Sequence, residues 1–168
     1  MSGRILVVDD ERGLREALAD KLRHAGYHVE VADSAESALA CIAAVDPQVV
    51  LTDLRMPGLS GLDLTERIRA DRPETDVVVM TGHEDMESAV GAMKAGAVDY
   101  LVKPVRLEEV RALVERVLKE QALNRAAPAL RDEADPRPAP GPDAIVGRDP
   151  RMIELYKLIG TLSRNRAT

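Results

Sequence analysis

The chain has 168 residues, 45% of them hydrophobic, and 29 Asp+Glu against 23 Lys+Arg give a formal net charge of −6; this suits one domain of about 100–200 residues with an appendage. A single cysteine, Cys41, excludes a disulfide framework within the chain and fits a reducing, cytoplasmic compartment. The uncharged stretch Ser37 to Val45 is too short for a membrane span, which needs about 20 residues, and the apolar run Ile5–Val8 is too short for an export signal and ends in acids.

Short runs rich in β-branched residues predict strands at Ile5–Asp9, Tyr27–Ala32, Gln48–Asp53, Val77–Thr81 and Tyr100–Val102. Helical spacing fills the gaps between them. Leu14, Leu18, Leu22 and Ala25 form the first stripe, with Gly26 as its C-terminal stop. Ser34 opens the second helix as N-cap, and Pro47 ends the connection after it. Gly61–Arg69 and Met86–Ala95 are the third and fourth helices. The fifth carries Leu107, Val110, Val114 and Val117 on one stripe, runs to about Arg125, and has Glu108 and Glu109 in its first turn, where the helix dipole favours acids. There is no Phe or Trp, so the core must be aliphatic. Strands at Ile5–Val8 and Val49–Leu51 are apolar at consecutive positions, as in a parallel sheet covered on both faces. Five β–α units in about 120 residues give an α/β fold with an open, doubly wound parallel sheet and right-handed crossovers.

Ligands of such sheets sit outside the carboxyl ends of the strands. Asp9-Asp10 and Glu11 follow the first strand, Asp53 ends the third, Thr81-Gly82 the fourth and Lys103-Pro104 the fifth. Singly, each has a plain reading: Asp9 or Asp10 as a helix cap, Thr81 as a turn residue, Lys103 as a solvated cation. Together they suggest a site. Clustered carboxylates repel unless a counter-charge is present. Mg²⁺, a hard cation that takes one or two carboxylates and keeps positions for water and phosphate oxygens, supplies one. A carboxylate beside it can accept a phosphoryl group as an acyl phosphate, since phosphoryl transfer needs mainly positioning and neutralised charge. Asp53 is then the acceptor, with Lys103 adding charge and Thr81 a hydrogen bond.

The runs Val7-Val8-Asp9-Asp10-Glu11, Leu51-Thr52-Asp53-Leu54-Arg55-Met56-Pro57-Gly58, Met80-Thr81-Gly82-His83 and Asp99-Tyr100-Leu101-Val102-Lys103-Pro104 resemble, in order and spacing, the receiver domain of two-component response regulators, the CheY-like fold. The resemblance covers about residues 3–121. It implies a five-stranded sheet of order 2-1-3-4-5 and phosphorylation of Asp53 by a sensor histidine kinase. It implies Asp10 as the principal acidic Mg²⁺ ligand, Asp9 reaching the metal partly through water, and Arg55 adding its backbone carbonyl. Lys103 would pair with the phosphoryl oxygens, Thr81 and Tyr100 would form the switch pair, and the Lys103-Pro104 bond would be cis. His83 lies where such domains tune phosphoryl lifetime, and a solvated loop histidine is an equal reading. Cys41, in an Ala-rich helix, reads as a small core residue before a reactive thiol. The output would pass through the face of helix 4, strand 5 and helix 5 by a change of homodimerisation.

Residues 122–143 contain Pro128, Pro136, Pro138, Pro140 and Pro142 and read as an extended linker. Residues 144–168 are net basic while residues 1–121 carry the acidic excess. Asp149 suits an N-cap and Pro150 the first helical position, followed by a stripe of Met152, Leu155, Tyr156 and Ile159. Ile145-Val146-Gly147 and the helix after Pro150 resemble the start of the AAA+ ATPase domain of NtrC-type sigma-54-dependent activators. That implies RNA polymerase with sigma-54 and DNA as partners of a longer protein, and a chain that stops short of its phosphate loop. No Gly-x-x-x-x-Gly-Lys-[Ser/Thr] run or helix-turn-helix occurs, so neither ATPase activity nor DNA binding is expected of these residues, and the first domain's acidity also argues against DNA affinity.

Two other functions share parts of this pattern. An aspartate-nucleophile phosphatase usually carries a second acid two residues after the nucleophile, where this chain has Arg55. A flavodoxin-like flavin binder needs a hydroxyl- and Gly-rich loop after strand 1, where this chain has Asp9-Asp10-Glu11.

Overall fold

Consecutive apolar residues in the strands bury both faces of one sheet. The computed structural model describes residues 3–82 and 86–126. They form β1 (Arg4–Val8), α1 (Arg12–His24), β2 (His28–Ala32), α2 (Ala35–Val45), β3 (Val49–Asp53), α3 (Gly61–Asp71), β4 (Asp76–Thr81), α4 (Met86–Lys94), β5 (Asp99–Val102) and α5 (Leu107–Ala126). The sheet is parallel throughout, in the expected order β2-β1-β3-β4-β5. Leu6, Val8, Val50, Val77 and Val79 pack against α2, α3 and α4; Ile5, Val7, Val49, Leu51, Val78 and Met80 pack against α1 and α5. Each large aliphatic side chain so buried contributes about 1.5–3 kcal/mol. The aliphatic residues close both layers without Phe or Trp.

Most boundaries agree with the periodicity to within one or two residues. Glu11, not Asp9 or Asp10, is the N-cap of α1, and it makes no side-chain cap bond. Ala25 is the C-cap of α1, and Gly26 follows it at φ +92°. Ser34 caps α2 as expected, in a reciprocal capping box with Ser37, and Ser60 does the same for α3 with Asp63. α5 runs to Ala126, so residues 122–126 of the segment read as extended linker are helical; the first proline there, Pro128, comes two residues later. Cys41 is half-buried against the α2–α3–α4 layer and burial raises its thiol pKa, which supports the core reading. His83 and the remainder of the Pro-rich and basic segments, with Ile145-Val146-Gly147, Asp149, Pro150 and the stripe after it, lie outside the described residues.

α5 is tied across the amino ends of the sheet by Gln121. Its Nε2 donates to the Gln48 carbonyl at 2.8 Å and to Asp76 Oδ2 at 2.7 Å, while its buried Oε1 has no hydrogen-bond partner among the described residues. Burial raises the Asp76 carboxyl above the ordinary aspartate range, against the lowering effect of the Gln121 bond. A carboxyl raised in the folded state adds stability below its unfolded pKa and loses it as pH rises through the folded one. Ionised Asp76 therefore opposes folding at neutral pH. Asp76→Asn should unfold at higher urea than the parent at pH 7, with the gap closing as the pH falls through the carboxylate range. Urea melts at several pH values check this; a gap that widens on acidification contradicts it.

Candidate functional site: an acidic pocket at the carboxyl edge

The register brings the strand ends level. Val8 pairs with Thr52, Asp53 with Met80 and Thr81 with Val102, so the residues at or just past these ends share one edge. Backbone bonds continue past the ladders, from Asp9 N to the Ala32 carbonyl (3.2 Å), Leu54 N to Met80 (2.9 Å) and Lys103 N to Thr81 (2.7 Å). The chain is thus held as the side chains of Asp9, Asp53 and Lys103 emerge.

Those three meet. Lys103 Nζ donates to Asp53 Oδ2 at 2.6 Å and to Asp9 Oδ2 at 2.9 Å. Asp9 is fully buried, and its Oδ1 accepts the Glu11 N–H at 2.8 Å; Asp53 is 7% exposed, and its Oδ1 accepts the Arg55 N–H at 3.1 Å. Asp9 therefore serves the turn into α1 as well as the pocket, but caps nothing. Desolvation lowers the Lys103 pKa, yet its bonds to Asp53 and Asp9 and their charges outweigh that, and the ammonium ends above the ordinary lysine value. From α1, Arg15 Nη1 donates to the Asp9 carbonyl at 2.6 Å, a contact that sequence spacing did not reveal.

Asp10 is exposed at the mouth. One carboxylate oxygen from each of Asp9, Asp10 and Asp53 lies within 4.8 Å of the others. Three carboxylates, two of them bonded by one ammonium, offer a hard, oxygen-only donor set that fits Mg²⁺. Thr81 is buried beside them, and its Oγ1 donates to the Gly82 carbonyl at 3.3 Å. Tyr100 is half-buried against the α2–α3–α4 layer. The Lys103-Pro104 peptide is cis, as expected.

α3 begins directly on the Asp53 backbone. Gly61 N donates to the Leu54 carbonyl at 3.0 Å, and a Cβ on Gly61 would lie 2.1 Å from the Asp53 carbonyl oxygen. Only glycine lets the helix approach this closely. Gly61→Ala must push α3 and Asp53 apart, and about 1–3 kcal/mol of stability should be lost, as for other overpacked cores. A urea melt checks the magnitude; unchanged stability would show that the contact relaxes at no cost.

The sequence matches the response regulator receiver domain family over residues 5–115. It is 36% identical over 162 residues to the DNA-binding transcriptional regulator NtrC of Klebsiella pneumoniae, covering 95% of this chain and 33% of that protein. It is 38% identical over 132 residues to the transcriptional regulatory protein FixJ of Bradyrhizobium diazoefficiens, covering 79% of this chain and 62% of that one. Among solved structures, NtrX from Brucella abortus superposes with a TM-score of 0.74 at 34% identity, over 95% of this chain and 34% of NtrX. The isolated NtrX receiver domain superposes at 0.66 and 38% identity, over 68% of this chain and 98% of that domain. The chain thus spans about a third of the length of its NtrC and NtrX relatives. With a five-stranded 2-1-3-4-5 sheet and an acidic pocket at its carboxyl edge, the chain belongs to the response regulator receiver family, and its sequence is similar to the receiver-bearing part of NtrC and NtrX.

Proposed function

We propose that this receiver is a phosphorylation switch whose acceptor is Asp53. The observation that carries the reading is the Asp53 carboxylate itself, nearly buried, bonded to Lys103 at 2.6 Å and clustered with Asp9 and Asp10. An Asp53 carboxylate oxygen attacks the phosphorus of a phosphohistidine on a sensor histidine kinase. The P–N bond breaks, the imidazole leaves and takes a proton, and an acyl phosphate forms. Lys103 then turns its charge to the phosphoryl oxygens.

Asp10 and Asp53 would hold Mg²⁺, with Asp9 partly through water and the Arg55 carbonyl as a further donor. The ion, when bound, neutralises phosphoryl charge. The Thr81 hydroxyl would leave the Gly82 carbonyl for a phosphoryl oxygen, and the Tyr100 ring would turn inward behind it. This is a shift between two existing arrangements of the face formed by α4, β5 and α5, read out as a change in homodimerisation.

The module is regulatory rather than an enzyme. In the full-length protein the partners would be RNA polymerase with sigma-54 and DNA, with no DNA contact from this domain. No helix of the described residues is long and apolar enough to cross a membrane, which suits a cytoplasmic site beside the kinase. The test is intact-mass measurement after incubation with acetyl phosphate and Mg²⁺. One added phosphoryl group is expected, absent when Mg²⁺ is chelated. No adduct overturns the reading, and rapid turnover of phosphate esters would favour the phosphatase.

A further inference from the structure

The loop between β3 and α3 carries Arg55, and it is held from outside by a residue of α2. Glu36 Oε1 accepts the Leu59 N–H at 3.0 Å. The base of Glu36 is rigid, because it sits in the first turn of α2, between Ala35 and the fully buried Ala38, in a helix start fixed by the Ser34–Ser37 capping box. On the loop side, Gly58 has φ +82°, and a Cβ there would lie 2.5 Å from Glu36 Oε1. The positive φ calls for glycine at this position, and a Cβ added there would push the Glu36 carboxylate aside. At its other end the loop is tied to the pocket by Arg55 N–H on Asp53 Oδ1, and Leu54 and Met56, on either side of Arg55, are buried.

We infer that Glu36 is a positioning residue: by holding Leu59 it fixes the loop that presents the Arg55 carbonyl to the metal site. This rests on the phosphoacceptor reading above. The bond is exposed, so its contribution to overall stability is small. Its effect falls on the placement of a donor group, and a misplaced donor weakens metal affinity. The role needs an acceptor oxygen on Leu59 N–H, not a negative charge.

The test compares the full chain with Glu36→Gln, Glu36→Ala and Gly58→Ala, reading Leu59 amide hydrogen exchange and Mg²⁺ affinity by calorimetry. Glu36→Ala should speed Leu59 exchange and weaken Mg²⁺ by roughly three- to tenfold, the equivalent of about one ordinary hydrogen bond. Glu36→Gln keeps an acceptor and should match wild type in both. Gly58→Ala, which displaces the carboxylate, should resemble Glu36→Ala. Wild-type Mg²⁺ affinity in Glu36→Ala overturns the inference. So does an equal loss in Glu36→Gln, which would make the effect one of charge. Wild-type protein that binds no Mg²⁺ and takes no phosphoryl group overturns the phosphoacceptor reading itself, and this inference with it.

Discussion

Asp53→Asn should take up no phosphoryl group from acetyl phosphate and Mg²⁺ under conditions where the wild-type chain gains one. The substitution is nearly isosteric. The introduced amide oxygen can still accept the Arg55 N–H that Asp53 Oδ1 accepts at 3.1 Å, and Lys103 keeps its bond to Asp9 at 2.9 Å. Shape and most of the local bonding therefore survive while the nucleophilic carboxylate is lost, which separates chemistry from folding. The neutral amide cannot form the acyl phosphate, and it removes one of the three carboxylate oxygens that lie within 4.8 Å of one another. Mg²⁺ affinity should fall as well. Intact mass read beside circular dichroism and a Mg²⁺ titration checks both parts: an unchanged spectrum with no adduct supports Asp53, whereas an undiminished adduct would move the acceptor elsewhere, Asp10 first.

The fold was readable because its signals are local. Apolar runs such as Ile5–Val8 need both faces covered, and the parallel order then sends every strand end to one edge, so Asp9, Asp53, Thr81 and Lys103 could be grouped from sequence. What was not readable depends on side-chain direction across distant elements. Lys103 and Asp9 are 94 positions apart, and no periodicity says that the ammonium bridges two carboxylates. Glu36 and Leu59 are 23 apart, and Glu36 looks like any first-turn acid until Gly58 brings the loop against it. Gln121 lies 45 positions from Asp76, on a helical face where a polar residue reads as solvated. Asp9 shows the converse: taken singly a strand-end acid suggests a cap by propensity, but its side chain turns into the pocket, as its grouping with the other strand ends suggests, and Glu11 takes the cap position. In each case a tertiary partner overrides the local preference.

Lys103→Met should lower stability by about 2–4 kcal/mol in the absence of Mg²⁺, as expected when one partner of a buried ion pair is removed and the other charge stays. Lys103 bonds both Asp9, whose side chain is fully buried, and Asp53, whose side chain is 10% exposed. Methionine keeps the packing of the aliphatic stem and removes only the ammonium, so two carboxylates lose their counter-charge while Asp10 stays close by. Their mutual repulsion then acts in a poorly solvated pocket. Adding Mg²⁺ should recover most of the loss, since the cation restores positive charge at the same oxygens. Its stabilising effect should be larger in the variant than in wild type, because a ligand that binds only the folded state stabilises more the tighter it binds. Urea melts of both proteins with Mg²⁺ or with a chelator give the comparison. A variant as stable as wild type without Mg²⁺ would mean that the pocket opens to water when Lys103 is lost. An equal Mg²⁺ effect in the two proteins would mean that the ion and the ammonium do not share the same carboxylates. Phosphoryl uptake should slow in the variant even with saturating Mg²⁺, because the positive charge that Lys103 brings to the phosphoryl oxygens is then absent.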